Sequence, residues 1–335
     1  MNDLHQAKLA KQANARSLLA RPNVVGVGIG HRQRAGRTLD EVCVVALVRT
    51  KRPAAALAPE ALVPRRVDGV PTDVREVGHL RAHLDRKARI RPAPGGVSLG
   101  HYLITAGTFG CIVRDRRSGA RLVLSNNHVL ANSNDAAAED PILQPGPADG
   151  GREESDSIAL LERFVPIAYN REPATCGVAR WVADAANAVA GLLGSRHRLE
   201  AIRQDPRATN RVDAAVARPL IDTDVADEIH EIGRPSGTLE ASLGLAVRKS
   251  GRTTGLTTGQ VTVLEATVDV DYGGKTARFE GQLLTGPMSE PGDSGSLLVA
   301  AEGPQAVGLL FAGSPQTTIY NPIADVLEAL DVDLP

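Results

Sequence analysis

Aromatic residues and cysteines are both scarce in this chain of 335 residues. It contains four Phe, four Tyr and one Trp, and its three cysteines are Cys43, Cys111 and Cys176. With so few aromatic rings, the core must be built mainly from Val, Leu, Ile and Ala. Three widely separated cysteines argue against a disulfide framework and lack metal-ligand spacing. We therefore expect free thiols, no metal site and a reducing compartment.

Long apolar runs and an excess of charge are also missing. No stretch approaches the roughly 20 apolar residues of a membrane-spanning helix. The first twenty residues resemble a short amphipathic helix more than a secretory signal. Lys plus Arg number 38 and Asp plus Glu number 39, so the net charge of -1 lacks the electrostatic signature of nucleic-acid binding. We expect a cytoplasmic protein that binds neither membranes nor nucleic acids.

Hydrophobic patterning divides the chain into three regions. Residues 1–95 hold a polar helix and β-like runs such as NVVGVGIG and EVCVVALVRT, which predict an accessory α/β region ending in a Pro- and Gly-rich linker. Strand-rich blocks follow at about 100–222 and 228–322, with a helical insertion near 183–203 and a terminal helix at 323–330. Short strands separated by Gly-rich turns favour β-barrels or sandwiches, and two similar blocks favour two barrels.

The segment PGDSGS, at positions 291–296, makes Ser294 a candidate nucleophile. A nucleophilic serine needs an exposed hydroxyl on a tight turn whose backbone N–H groups face the developing oxyanion. Flanking glycines permit that approach, and the apolar run LLVAA behind them would anchor the loop. An ordinary surface turn has the same composition, because Gly, Asp and Ser all favour turns.

His128 is the candidate general base, because it follows the apolar run LVLS at the end of a predicted strand. An isolated histidine is more commonly structural. The third member must be a carboxylate that fixes the imidazole tautomer, and Asp156 and Asp213 both start small apolar runs. We prefer Asp213, because the Ala-Ala-Val behind it leaves room for a buried carboxylate. Asp156 is the alternative.

In the order His, Asp, Ser, the segments LSNNHVL, VDAAVA and PGDSGS resemble the trypsin-like serine peptidases of the chymotrypsin fold. KSGRTTG, at 249–255, is similar to a segment of the streptogrisin-like bacterial branch, and the NNHV form of the histidine motif resembles DegP-like members. GLLFAG, at 308–313, is similar to the strand that lines the primary specificity pocket. The resemblance covers about residues 100–330. It implies a mainly β peptidase domain of two β-barrels over residues 96–335, beside the N-terminal α/β region.

This resemblance implies a serine endopeptidase that cleaves protein or peptide substrates through an acyl-enzyme on Ser294 and needs no cofactor. The backbone N–H groups of Gly292, Asp293 and Ser294 would form the oxyanion hole. In the trypsin branch, the aspartate that stands here at position 293 can pair with a newly made N-terminus. No activation-cleavage motif is evident here.

The resemblance also implies a primary specificity pocket lined by Met288, Ser289, Phe311, Ala312 and Gly313. These segments place no carboxylate at the pocket base, so a buried Lys or Arg side chain would lack a charged partner. We expect a preference for small or medium apolar side chains.

The lack of an export signal and of disulfides favours a regulatory intracellular protease over a digestive one. The alternative is a catalytically silent trypsin-like protein that acts as a binding or scaffold module, because a fold does not guarantee an activity. The N-terminal region is a candidate for homo-oligomerisation or partner binding.

Overall fold

The structure is a computed structural model that describes residues 3–34, 37–78 and 84–335. The chain forms two compact units, Met1–Leu84 and Asp85–Pro335. The boundary therefore lies before the predicted position near residue 95. Residues 85–95 belong to the second unit. Ala93–Gly95 pairs with Val225–Ile229, and Arg86 donates to the Ser250 hydroxyl at 2.7 Å.

The first unit packs one helix on a four-stranded sheet. Its elements are α1 (Asp3–Leu19), β1 (Val24–Arg34), β2 (Arg37–Val48), β3 (Arg66–Val67) and β4 (Val70–Glu76). The sheet order is β1-β2-β4-β3, and β2 and β4 are parallel. Ala7, Ala10 and Leu18 of α1 pack against Val44 and Val70, as expected for a helix with one apolar face.

The second unit contains the other helices and strands. Its helices are α2 (Asn127–Leu130), α3 (Glu153–Asp156), α4 (Gly177–Leu192) and α5 (Ile323–Ala329). Its strands are β5 (Ala93–Gly95), β6 (Ser98–His101), β7 (Gly107–Thr108), β8 (Cys111–Asp115), β9 (Arg121–Ser125), β10 (Pro141–Leu143), β11 (Ser157–Phe164), β12 (Arg171–Pro173), β13 (Ile202–Gln204), β14 (Ala215–Pro219), β15 (Val225–Ile229), β16 (Ala246–Gly251), β17 (Gly255–Asp271), β18 (Thr276–Thr285), β19 (Leu297–Ala300), β20 (Ala306–Gly313), β21 (Thr318–Pro322) and β22 (Val332–Asp333).

The first barrel runs in the order β6-β10-β11-β14-β9-β8. Strands β7 and β8 continue one another across Phe109 and Gly110. β7 pairs with β6, whereas the Gly110 N–H donates to the Leu124 carbonyl in β9 at 3.0 Å. The sheet therefore closes on itself, which leaves the barrel without a free edge.

The second barrel runs in the order β16-β17-β18-β21-β20-β19, and β19 pairs again with β16. The predicted architecture of two β-barrels is thus confirmed, and α5 follows the second barrel. The helical insertion, α4, begins and ends earlier than predicted, and residues 202–204 form β13. None of the helices in the described residues is long and apolar enough to cross a membrane.

An aliphatic core joins the two barrels. Leu124 and Val216 of the first barrel lie in one buried cluster with Leu297 and Leu309 of the second, and Val326 of α5 closes it. Side chains alternate along each strand, so the residues that fill this core also fix which neighbours face outward. The strand ends beside this core carry the residues of the candidate active site.

Candidate active site

Two adjacent strands of the first barrel bring His128 and Asp213 together. β9 ends at Ser125 and β14 begins at Ala215, and the antiparallel register pairs these two residues. The residues that follow Ser125 and those that precede Ala215 therefore lie at the same edge of the sheet. His128 lies in α2, directly beyond that edge, and Asp213 lies just before β14.

The Asp213 carboxylate holds the His128 imidazole. His128 Nδ1 lies 2.6 Å from Asp213 Oδ2, and the His128 backbone N–H donates to Oδ1 at 3.3 Å. Asp213 is fully buried, whereas the imidazole is partly exposed. An ionised carboxylate only accepts hydrogen bonds, so Nδ1 carries the proton and Nε2 keeps the lone pair that a general base needs.

Asp156 lies elsewhere, in a structural ion pair. Its Oδ1 is 3.0 Å from Arg89 Nε, and its Oδ2 accepts hydrogen bonds from the Arg152 N–H at 2.9 Å and the Ser155 hydroxyl at 3.0 Å. Burial acts to raise the pKa of Asp156, but these hydrogen bonds and the Arg89 charge lower it overall. Of the two candidate acids, the structure thus brings only Asp213 to His128.

Ser294 lies in a tight loop between β18 and β19 of the second barrel. Gly292 and Gly295 flank it with φ values of 97° and 94°, which side chains with a Cβ rarely adopt. A Cβ on Gly295 would collide with the Ser125 side chain and the Thr108 carbonyl. The Thr108 N–H donates to the Ser294 carbonyl at 2.8 Å, so the loop is attached to the first barrel.

The Ser294 loop also lies beside α2. Gly107 separates them, because a Cβ at Gly107 would meet both the Val129 side chain and the Ser294 carbonyl. No group in the described residues hydrogen-bonds the Ser294 hydroxyl. In free enzymes the bond between nucleophile and base is often long and shortens when substrate binds.

Two backbone N–H groups in the Ser294 loop are available to bind an anion. Those of Gly292 and Ser294 have no acceptor among the described residues. The Asp293 N–H instead donates to the Glu290 carbonyl at 3.0 Å and closes a turn. The prediction that the Asp293 N–H contributes to the oxyanion hole is therefore wrong, whereas Gly292 and Ser294 are free to do so.

Asp293 stabilises the loop through its side chain. Its Oδ2 lies 3.1 Å from Lys249 Nζ, and both side chains are fully buried. The carboxylate also accepts hydrogen bonds from the Glu290 N–H at 3.0 Å, the Thr253 N–H at 2.8 Å and the Thr254 hydroxyl at 2.7 Å. Burial acts to raise the pKa of Asp293, but the Lys249 charge and these hydrogen bonds lower it overall.

The KSGRTTG segment wraps around this loop. Besides Lys249, it contributes Arg252, whose guanidinium makes two contacts of 2.5 Å with the Asp149 carboxylate. The Thr253 hydroxyl donates to the Pro291 carbonyl at 2.9 Å. The segment thus fixes the residues that precede Ser294.

A cavity of about 710 Å³ opens beside Ser294. Four predicted pocket residues line it, namely Met288, Ser289, Ala312 and Gly313. Glu290 is the only ionisable residue among its lining residues, and its side chain is exposed. The walls are otherwise apolar or neutral, which suits an apolar side chain of a substrate.

Phe311 does not line this cavity, so its predicted place in the pocket is wrong. Its ring lies 4.7 Å from the ring of Phe279, in a buried cluster with Ile167. Leu310 and Ala312 line the cavity, whereas Phe311 between them packs into the core, at a register shift in the pairing of β20 with β21.

Asp213 is also held by two residues that were not predicted from the sequence. The Tyr272 hydroxyl donates to Asp213 Oδ2 at 2.8 Å, and the Asp213 N–H donates to Asn321 Oδ1 at 3.0 Å. Gly273 and Gly274 predict a two-residue hairpin with Tyr272 at its tip. No sequence signal places that tip next to Asp213.

The three cysteines are unpaired, as predicted. Cys43 and Cys111 are buried and Cys176 is exposed. Burial raises the pKa of Cys111 to about 12, so this thiol is inert near neutral pH.

Relatives match parts of this chain. Streptogrisin-A of Streptomyces griseus is 43% identical over 94 residues, which are 27% of this chain and 30% of that protein. Serine protease 2 of Streptomyces fradiae is 46% identical over 79 residues, which are 24% of this chain and 42% of that protein. The chain therefore spans less than half the length of these relatives. No protein-family model matches it.

Solved structures of proteases align with 72% of this chain. Nocardiopsis protease aligns at 18% identity and a TM-score of 0.46, over 72% of this chain and 97% of that one. Thermobifida fusca protease A aligns at 18% identity and a TM-score of 0.45, with the same coverage. The sequence relatives confirm the resemblance that the motifs indicate, and the chain is similar to trypsin-like serine peptidases of bacterial type.

Proposed function

We propose that this chain is a serine endopeptidase that hydrolyses peptide bonds through an acyl-enzyme on Ser294. The observation that carries the proposal is the 2.6 Å contact between His128 Nδ1 and the buried Asp213 carboxylate. It leaves the lone pair on Nε2, so this nitrogen is the base of the partly exposed imidazole. The relatives supply independent support for this reaction class, because they include a protein named serine protease 2.

In the first half of the reaction, Ser294 Oγ attacks the peptide carbonyl carbon while His128 Nε2 takes the hydroxyl proton. The negative charge that develops on the carbonyl oxygen is held by the N–H groups of Gly292 and Ser294. The tetrahedral intermediate then breaks its C–N bond, and His128 returns the proton to the leaving amine. Asp213 stays ionised and stabilises the imidazolium throughout.

In the second half, water replaces the amine. His128 takes a proton from the water as its oxygen attacks the acyl carbon, and the same two N–H groups hold the second oxyanion. The Ser294 Oγ–C bond then breaks, and the proton returns to Oγ. The free enzyme and a carboxylic acid product result.

The proposal is tested by covalent labelling of Ser294. A fluorophosphonate should modify the wild-type protein at this hydroxyl, and Ser294→Ala should abolish both labelling and peptide hydrolysis. The neighbouring Ser296→Ala variant is a matched control for the reagent, because the Ser296 hydroxyl donates to the Asp293 carbonyl inside the protein. A wild-type protein that is folded but resists labelling and cleaves nothing would favour a catalytically silent binding module.

We further propose a regulatory role inside the cytoplasm, with a protein substrate and with the N-terminal unit as a module for self-association or partner binding. The three unpaired cysteines support a reducing compartment. The test combines three measurements: localisation of the full chain in cells, its mass in solution, and its cleavage products. Efficient hydrolysis of casein, or a monomer without bound partners, would argue against this role.

A further inference from the structure

Four of the nine aromatic residues of this chain gather behind the candidate triad. Phe311 contacts Phe279 at 4.7 Å between ring centroids, Phe279 contacts Tyr272 at 6.2 Å, and Tyr272 contacts Tyr169 at 6.0 Å. The Tyr272 ring then meets the His128 ring edge-on at 5.9 Å. A chain with so few aromatic side chains thus concentrates them next to its general base.

Only one hydroxyl of this cluster reaches the catalytic carboxylate. The Tyr272 hydroxyl donates to Asp213 Oδ2 at 2.8 Å, which is the same oxygen that lies 2.6 Å from His128 Nδ1. The Tyr169 hydroxyl instead donates to the Ser133 carbonyl at 3.0 Å. Burial, reinforced by the Asp213 charge, raises the pKa of Tyr272 well above its ordinary value, so the phenol remains a donor.

Tyr272 is delivered by a rigid hairpin. It follows β17, and its N–H donates to the Lys275 carbonyl at 2.7 Å across Gly273 and Gly274, whose φ values of 72° and 99° fit a tight hairpin turn. The second barrel supplies this hairpin, whereas His128 and Asp213 belong to the first. The Tyr272 hydroxyl therefore joins the half that carries the nucleophile to the half that carries the base.

The hairpin is held in place on its outer side. The Asn170 N–H donates to the Thr276 carbonyl at 2.9 Å, and Lys275 Nζ lies 4.9 Å from the centre of the Tyr169 ring. The Arg278 guanidinium makes two contacts, of 2.8 and 2.9 Å, with Asp269 across the hairpin. These contacts restrict the position of Tyr272 before substrate arrives.

We propose that Tyr272 is a positioning residue of this active site, whose hydroxyl fixes the Asp213 carboxylate in the orientation that aligns the His128 imidazole. The proposal rests on the function proposed above. Without the hydroxyl, Asp213 Oδ2 keeps its bond to Nδ1 and Oδ1 keeps the long 3.3 Å bond from the His128 N–H, but Oδ2 loses its 2.8 Å donor and the carboxylate is held less firmly. A bond to a charged acceptor is worth about 1.5–3 kcal/mol, so we expect Tyr272→Phe to lower kcat roughly tenfold to a hundredfold with little change in KM.

The first measurement needs no substrate. Asp213 and Tyr272 are the ionisable residues that contact the His128 ring among the described residues, and only the phenol at 272 changes in Tyr272→Phe. Loss of its hydrogen bond leaves more negative charge on Asp213 Oδ2, which stabilises the imidazolium. In NMR titrations we therefore expect the His128 ring of Tyr272→Phe to titrate at higher pH than in the wild type, with a shifted Nδ1 proton resonance.

Tyr169→Phe is the matched control, since it removes a neighbouring hydroxyl that does not contact Asp213. It should leave the His128 titration unchanged. A second control is Tyr272→Phe in an Asp213→Asn background, where the substitution should cause no further loss of kcat. Thermal unfolding of each variant shows that it is folded.

The outcomes separate the two proposals. An unchanged or lower titration midpoint in folded Tyr272→Phe overturns the positioning role, whatever the catalytic activity. Peptide hydrolysis that survives Ser294→Ala overturns the proposed function but leaves the NMR comparison valid. A raised midpoint together with a kcat loss confined to Tyr272→Phe supports the role of Tyr272.

Discussion

Lys249 Nζ and Asp293 Oδ2 lie 3.1 Å apart, and neither side chain is exposed to solvent. The aspartate directly precedes Ser294, and the lysine lies within β16 of the second barrel. In the trypsin branch, the equivalent carboxylate can pair with an N-terminus that is created by cleavage. Here the cation is a side chain of the same unit, so the loop that carries Gly292 and Ser294 is stabilised within the intact chain.

Removing the lysine should therefore destabilise the second unit. We expect Lys249→Met to lower the free energy of unfolding by about 3–5 kcal/mol, because it leaves the Asp293 charge buried and uncompensated. Urea unfolding monitors the loss, and Lys87→Met is a control, since Lys87 is exposed. The double variant Lys249→Met/Asp293→Asn should recover part of the stability. A Lys249→Met protein as stable as the Lys87→Met protein would show that the pair contributes nothing.

The same pair predicts a dependence of stability on pH. The pKa of Asp293 is lowered in the folded protein, so between the folded and unfolded pKa values the native state binds fewer protons than the unfolded state. Its stabilising effect is complete above the unfolded pKa of about 3.9 and is lost as the pH falls through the lower folded pKa.

Urea midpoints measured from neutral to acidic pH test this dependence. The wild type should lose stability more steeply in acid than Asp293→Asn, which is less stable throughout but lacks this titration. Asp184→Asn, at an exposed position of α4, should retain the wild-type slope. Equal slopes for the wild type and Asp293→Asn would contradict the assignment.

Replacing each of the two candidate triad acids by asparagine distinguishes their roles. Asp213→Asn should lower kcat by about 10⁴, because a carboxamide can stabilise the wrong imidazole tautomer. Asp156→Asn should leave kcat near the wild-type value and mainly reduce stability, since Asp156 pairs with Arg89 at 3.0 Å. Steady-state kinetics on one peptide substrate, with unfolding curves for both variants, give the comparison. A larger kcat loss in Asp156→Asn would reverse it.

Short sequence motifs were enough to identify the candidate site residues that lie within them. PGDSGS and LSNNHVL identify Ser294 and His128 as candidates, and the small residues after Asp213 leave room for the buried carboxylate that the structure shows. The strand-rich blocks likewise predicted two barrels. Each of these inferences needs only a few consecutive residues and the regular alternation of a strand.

Contacts between residues that are distant along the chain could not be predicted from the sequence. Phe311 was expected in the pocket because the motif covers its whole strand, but at the register shift between Leu310 and Ala312 its ring packs into the core against Phe279. Lys249 and Tyr272 reach Asp293 and Asp213 only through the packing of the second barrel and its hairpin. No local sequence pattern indicates that such distant residues are in contact.

The pocket beside Ser294 predicts the preferred cleavage site. Met288 and Ala312 form part of the apolar wall of the cavity. Glu290 is the one ionisable lining residue, and its side chain is exposed. We expect a library of peptides to be cleaved after small or medium apolar residues, since a buried Lys or Arg would lack a charged partner. Strong cleavage after Lys or Arg would show instead that Glu290 turns into the pocket.

A substitution at Gly313 tests whether the substrate side chain occupies this cavity, because it should reduce the size of the side chain that fits. A Cβ at this position would lie 2.9 Å from Ser289 Oγ and 3.2 Å from the Thr317 carbonyl, so Gly313→Ala should narrow the cavity. We expect kcat/KM to fall roughly tenfold or more for a large apolar side chain and less for alanine, because one methylene in a pocket is worth about 1–3 kcal/mol. Gly286→Ala is the control, since nothing lies within 4 Å of its Cβ position. Equal losses for both substrates would place the substrate side chain outside this cavity.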